Sequence, residues 1–158
     1  MADKTHHYQI ALEWTGDRGS GTSRYDTYDR AHVLSAPGKP DIPGSSDPSF
    51  SGDAARWNPE ELLLASLSAC HQLWYLHLCA MNKVTVVGYR DQPTGEMTEH
   101  PDGSGEFVRV VLRPEVTITA ASDPDKAMHL HHQASSLCFI ARSVNFPVEH
   151  QPSVSVAG

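Results

Sequence analysis

Cys70 and Cys138 are the side chains of this chain with the most chemistry to offer. A cysteine attacks as its thiolate, and an unperturbed thiol, with a pKa of about 8.5, is mostly protonated at neutral pH. Reactivity therefore depends on what surrounds the sulfur. Cys70 closes the run Leu62-Leu63-Leu64-Ala65-Ser66-Leu67-Ser68-Ala69-Cys70, which follows directly on Asn58-Pro59-Glu60-Glu61. Cys138 opens the distant segment Cys138-Phe139-Ile140-Ala141-Arg142-Ser143. A sulfur on an apolar helix, with a carboxylate (Glu60) at the helix start and a second thiol far downstream, points to thiol chemistry more than to packing. Cys79, nine residues beyond Cys70, falls on the opposite helix face and reads as a small core hydrophobe. Glu60 also has a plainer role, since a carboxylate in the first helical turn meets the helix dipole favourably.

The elements that would hold these residues follow from local signals. Asn58 is a good N-cap, Pro59 suits the first helical position, and Glu61 completes a variant of the capping box. The helix is expected to reach about Met81, with Asn82 near its end. Leu63, Leu67, Cys70, Trp74, His77 and Met81 form a stripe at helical spacing, and the helix is apolar on nearly every face. Before it, Tyr8 to Trp14 alternates in polarity as a half-buried strand does. A turn at Thr15 to Gly21 and a returning strand over Thr22 to Leu34 follow. Ser35 to Asp53, rich in proline and glycine, reads as a long irregular loop. Beyond the helix, strands are expected at Val84 to Asp91, Gly95 to Glu99, Glu106 to Arg113 and Glu115 to Ala120. A second helix runs from Ser122-Asp123-Pro124 to about Ser143, and Val144 to Val156 closes the chain as an edge or broken strand. The class is α+β without strict alternation.

The length of 158 residues favours one domain over the whole chain. The net charge of −7 argues against a nucleic-acid groove or an anionic membrane surface. The amino terminus lacks an apolar signal region, and polar residues interrupt the long helix too often for a membrane span. Three cysteines do not make a secreted disulfide framework, so a reducing cytoplasm is the expected location.

The segment from Asn58 through Cys70, taken together with Cys138 to Ser143, closely resembles the hallmark of the OsmC/Ohr family of thiol peroxidases. The resemblance covers nearly the whole chain. It implies an OsmC-like fold, with an antiparallel sheet wrapped around two long central helices in an intertwined homodimer. It also implies that Cys70 attacks the O–O bond of an organic hydroperoxide and becomes a sulfenic acid, which Cys138 then condenses to a disulfide. An external dithiol, a lipoyl group being one candidate, would reduce that disulfide. No organic cofactor or metal is implied. Family members hold an arginine on the carboxylate that matches Glu60, and a guanidinium stays charged beside a thiolate. Arg18, in a loop like that of one branch, and Arg30 are equal candidates here; Arg56 is nearby but out of register.

Three features stand apart from this pattern. His71 follows Cys70 where phenylalanine is common, and as successive helical residues diverge by about 100° it is expected to be a buried, hydrogen-bonded histidine. Leu67, Leu73, Trp74 and Phe139 could form an apolar approach for an alkyl chain. His129, His131 and His132 cluster on the second helix without a zinc-binding pattern, and His131, seven residues before Cys138, shares its face. Two other classes compete: an OsmC-like small-ligand or metal-binding stress protein with little peroxidase activity, and a structural protein with inert core cysteines.

Overall fold

Helix α1 (Pro59–Met81) begins where its capping residues demand. The Asn58 side-chain oxygen accepts the Glu61 amide at 2.8 Å, and the Glu61 carboxylate accepts the Asn58 amide at 3.2 Å. The reciprocal pair satisfies two amides that the helix itself cannot. The helix ends where the Asn82 amide bonds back to Leu78 and Cys79 carbonyls and Lys83 turns to φ 61°.

The computed structural model describes residues 3–158. Met1 and Ala2, part of the amino-terminal stretch read above for export, lie outside them. The chain divides into two compact units, Met1–Leu62 and Leu63–Gly158.

In the first unit β1 (Ala11–Trp14), β2 (His32–Ser35) and β3 (Ile42–Gly44) form an antiparallel sheet in the order β1-β2-β3. The expected first strand is shorter than its alternation suggests, and Tyr8, Ile10, Leu12 and Trp14 are all exposed. Alternation marks a face that favours cover; it does not say that the same chain supplies it. The expected return strand over Thr22 to Leu34 starts only at His32. Upstream, the Asp17 carboxylate accepts the amides of Gly19 (2.8 Å) and Gly21 (2.9 Å), both at positive φ, and so winds the chain into a loop. Gly16 is required where it stands, because an added Cβ would lie 1.8 Å from the Asp29 carbonyl oxygen. The segment read as an irregular loop contains β3 and a 3-10 turn at Pro48–Phe50. Pro43 is tolerated because β3 is an edge strand.

The second unit holds most of α1, then β4 (Val86–Arg90), β5 (Thr94–Glu99), β6 (Gly105–Leu112), β7 (Glu115–Ile118), α2 (Pro124–Leu137), β8 (Val148–His150) and β9 (Ser153–Val156). The strands form two sheets, β4-β7-β9 and β5-β6-β8. Antiparallel pairing joins β4 to β7 and β5 to β6, while β6–β8 and β7–β9 are parallel. The single closing strand expected over Val144 to Val156 is therefore two, split at Gln151-Pro152, so that each half reaches a different sheet. The α+β class and the two helices stand as expected.

One core cluster joins Tyr75 and Cys79 of α1, Val116 and Ile118 of β7, and Ala127, Leu130 and Ala134 of α2. A second gathers Leu67 with Val110 and Leu112 of β6. The buried row of α1 is Leu67, His71, Tyr75 and Cys79, an i, i+4 ridge. The stripe noted at helical spacing in the sequence is not this row: Cys70 and Trp74 are half-buried, and His77 and Met81 are exposed. A helix apolar all round gives no periodic contrast from which its buried row can be chosen.

Helix α2 is capped by the Asp123 carboxylate, which accepts the amides of Asp125 (3.0 Å) and Lys126 (3.2 Å). It does not reach Ser143. Cys138 leaves helical geometry at φ −63°, ψ 112°, and a 3-10 turn follows at Ala141–Ser143. The Arg142 amide donates to the Cys138 carbonyl at 3.0 Å, so a local turn replaces continued helix. Among the described residues no helix is long and apolar enough to cross a membrane.

Candidate active site

The second unit brings Cys70 and Cys138 together as neighbouring free thiols. Cys70, on α1, is half-buried. Cys138, the residue that ends α2, is 0% exposed, and its Sγ accepts the Ala141 amide at 3.4 Å. Burial, with the Cys70 thiol as second cause, pushes the Cys138 thiol up to about 11. Cys138 therefore stays protonated at neutral pH, and the solvent-facing sulfur of the pair is Cys70. Cys79 is buried in the core beside Tyr75, and burial raises its thiol too. It has the inert character expected of it.

Around the thiol pair lie the apolar residues named from the sequence. Leu73 and Phe139 are 66% and 65% exposed, and the half-buried Trp74 meets Phe139 edge-to-face at 5.4 Å between centroids. Leu67 differs: it is wholly buried in the core.

His71 is 1% exposed, and its Nε2 lies 3.0 Å from Nδ1 of His131, which is 0% exposed. The two rings are parallel to within 3°. Tyr75 stacks on His131 at 3.8 Å between centroids, and its hydroxyl donates to the Ala127 carbonyl at 3.2 Å. Burial lowers His71 to about 4, aided by His150 and opposed by Asp91. Burial likewise lowers His131 to about 3, with His71, His150 and His132 adding to the shift. Both rings are neutral at pH 7. His71 is thus the buried, hydrogen-bonded residue that helical geometry suggested.

The histidine cluster on α2 divides. His129 and His132 are exposed and 6.3 Å apart between centroids, while His131 turns inward. His132 also meets His150, with Nδ1 to Nε2 at 3.4 Å. Among the described residues no group of three or more His, Cys, Asp or Glu side chains is placed to hold a metal ion.

Sequence reasoning missed the His71–His131 pair and the part played by Asp91. The Asp91 carboxylate accepts the Ser68 hydroxyl at 2.6 Å and the Arg113 amide at 2.7 Å, tying α1 to the β4 end two residues before Cys70. A signal for His131 exists: Ala127, His131, Ala134 and Cys138 are all buried, at helical spacing on one side of α2.

In the first unit the two candidate arginines are already occupied. The Arg30 guanidinium sits 4.2 Å from the Tyr25 ring centroid and 4.3 Å from that of Tyr28. It donates to the Tyr28 carbonyl at 2.7 Å and the Tyr25 carbonyl at 2.9 Å. Arg18 bonds to the Asp26 carbonyl and approaches the Asp29 carboxylate at 3.7 Å. Neither forms an ion pair with Glu60, whose Oε2 is buried without a hydrogen-bond partner. Arg56 donates to the His32 carbonyl and approaches Asp53, and with Arg30 it lines a polar cavity of about 400 Å³.

The family model described as OsmC-like protein matches residues 52–153. Among solved structures, an OsmC-like protein of unknown function from Vibrio cholerae is 28% identical, with a TM-score of 0.85 over 94% of this chain and 100% of that one. An organic hydroperoxide resistance protein from Elizabethkingia anophelis shares the fold at 16% identity and a TM-score of 0.67, covering 98% of this chain and 100% of its own. Another from Vibrio cholerae, with captopril bound in one of its active sites, is 21% identical, with a TM-score of 0.66 over 97% of this chain and 95% of its own. A comparison with curated protein sequences gives no match.

Proposed function

We propose that this chain, which belongs to the OsmC-like protein family, is a thiol-dependent peroxidase that reduces organic hydroperoxides. The observation that carries the reading is the pairing of a half-buried thiol, Cys70, with a buried protonated one, Cys138. Attack by the Cys70 thiolate on the distal peroxide oxygen breaks the O–O bond and, with one proton, yields an alcohol and a Cys70 sulfenic acid. Condensation with the Cys138 thiol then forms the disulfide and releases water. An external dithiol restores both thiols by exchange. The exposed Leu73 and Phe139 side chains suit an alkyl-bearing substrate, and neighbours described as organic hydroperoxide resistance proteins support the substrate class.

The whole chain is proposed to act as one OsmC-like domain in a cytoplasmic homodimer. Apolar side chains left exposed in both units, such as Tyr8, Ile10, Leu73 and Met81, support a second copy as their cover. An arginine, Arg18 or Arg30, enters the proposal on the family resemblance as the group that keeps a thiolate charged, with Glu60 as the carboxylate that holds it.

Treating the reduced protein with one equivalent of cumene hydroperoxide is expected to produce a Cys70–Cys138 disulfide in peptide mass spectra, absent from Cys70→Ser. Unoxidised thiols in the wild-type chain after that treatment would sink the reading. Substituting Arg18 and Arg30 separately by Lys or Met is expected to slow Cys70 oxidation by about tenfold or more at one of them, a loss of ~1.4 kcal/mol of barrier lowering. Wild-type rates in all four variants would remove both arginines from the site.

A further inference from the structure

We propose that the His71–His131 hydrogen bond, backed by the Tyr75 ring, is a register lock that holds α1 and α2 so that Cys70 and Cys138 stay within disulfide reach. His131 is thereby a positioning residue. The inference rests on the thiol pair of the preceding reading and goes beyond it, assigning a role to two histidines outside the redox chemistry.

The geometry is specific. His71 directly follows Cys70 on α1, and His131 lies on the helix that Cys138 terminates. The two rings meet edge to edge at 3.0 Å and are coplanar in orientation, so one N–H is shared along the line joining the helices. Tyr75, one turn beyond His71, covers the face of His131 and ties its own hydroxyl to Ala127 on the same partner helix. These are polar contacts in an otherwise apolar contact between the helices, flanked by Ala127, Leu130 and Ala134. Apolar contacts are non-directional and permit sliding, whereas a buried hydrogen bond is lost if the helices slip by an ångström. His131 Nε2 is already buried without a partner, and slipping would leave the two bonded nitrogens unpaired as well, so the pair selects one register.

Disulfides are equally demanding. Their Cα atoms must lie about 4.4–6.8 Å apart with the Cβ atoms facing. A helix end that drifts keeps its thiols but loses their effective concentration. Cys138 is open to such drift, because it is the C-cap of α2, just past Leu137, in extended geometry. His131, two turns earlier, is the nearest point at which α2 is fastened to α1 by side-chain hydrogen bonding.

The test reads the disulfide equilibrium with no peroxide present. In glutathione buffer, Cys70–SH and Cys138–SH pass two electrons and two protons to oxidised glutathione, giving the protein disulfide and two reduced glutathiones. His131→Phe keeps a ring to stack on Tyr75 but removes both nitrogens; the disulfide-to-dithiol ratio is expected to fall about tenfold, a shift of ~30 mV. His131→Asn returns an oxygen near the Nδ1 position and is expected to recover the ratio to within about threefold. A folded His131→Phe chain with the wild-type ratio overturns the proposal. Should that variant not fold, His71→Phe/His131→Phe leaves no buried nitrogen unpaired and carries the same expectation; a wild-type ratio there overturns the proposal equally. A wild-type chain that forms no such disulfide in the buffer also overturns it. A wild-type chain that forms the disulfide in glutathione yet leaves hydroperoxide untouched overturns the peroxidase reading alone.

Discussion

Cys70→Ser should abolish hydroperoxide consumption, by a factor of ~10³ or more, which is a barrier increase of about 4 kcal/mol. Cys138→Ser should behave differently, consuming about one equivalent quickly and at most about one more slowly before it stops. The contrast follows from the two sulfur environments. A serine hydroxyl is hardly ionised at neutral pH and is a poor nucleophile toward an O–O bond, so nothing replaces Cys70. Cys138 is buried and protonated, with its thiol raised to about 11, which leaves roughly one thiolate in ten thousand at pH 7. It is unsuited to the first attack. Its role comes later, when the Cys70 sulfenic acid is the electrophile beside it. Without Cys138 that sulfenic acid has no resolving partner on the chain, and further peroxide carries it to the irreversible sulfinic state. Stopped-flow consumption of cumene hydroperoxide, with intact-mass readings of +16 and +32 Da species as estimated for one and two added oxygens, checks both variants. Continued turnover by Cys70→Ser would move the nucleophile elsewhere, with Cys79 excluded as well by its burial in the core. Multiple turnovers by Cys138→Ser would mean that the external dithiol resolves Cys70 directly.

What could be read from the sequence depended on whether a signal was local. The start of α1 was legible because Asn58, Pro59 and Glu61 act on each other's backbone within one turn. The α2 start was legible for the same reason through Asp123 and Pro124. Cys70 and Cys138 stood out by chemical type and motif, and their adjacency in the fold is what the structure adds. The buried row of α1 was not legible. When nearly every side chain is apolar, the choice between Cys70-Trp74-His77 and His71-Tyr75-Cys79 is made by the partner helix and the sheets. The same reason hid the His71–His131 pair, whose members are 60 residues apart and neither of which belongs to a recognisable motif. Strand lengths failed where side-chain turns compete with pairing: Asp17 gathers two glycine amides and displaces the start of β2 to His32. The arginine question divides in the same way. Tyr25 and Tyr28 claim Arg30 through ring faces and carbonyls, a set of contacts that no spacing rule would disclose.

Acidification from pH 7 to pH 5 should destabilise the protein before its carboxylates titrate. His71 is lowered to about 4 and His131 to about 3, chiefly by burial, against an ordinary value of about 6.5 in an unfolded chain. Below pH 6.5 the unfolded chain takes up protons that the folded one refuses, so stability rises with pH across this window and falls as pH drops through it. The stabilising contribution is fully present above about 6.5 and is lost progressively toward the folded values. Each group removes up to about 1.4 kcal/mol per pH unit, a large share of a typical 5–15 kcal/mol total. Burial sets the sign; repulsion from His150 deepens the shift at both rings and that from His132 at His131, while Asp91 opposes it at His71. Asp17, Asp47 and Asp102 are held below their ordinary value by hydrogen bonds, so their contribution is lost at lower pH and is separable. Urea midpoints at pH 7, 6 and 5 should fall stepwise in the wild-type chain and change much less in His71→Phe/His131→Phe, which has no buried ring to protonate. Equal midpoints at pH 7 and 5 in the wild type would show that the pair takes up its protons while still folded. A coplanar N–H···N bond leaves no acceptor once both rings are charged, so helix register and acid stability stand or fall on the same nitrogen pair.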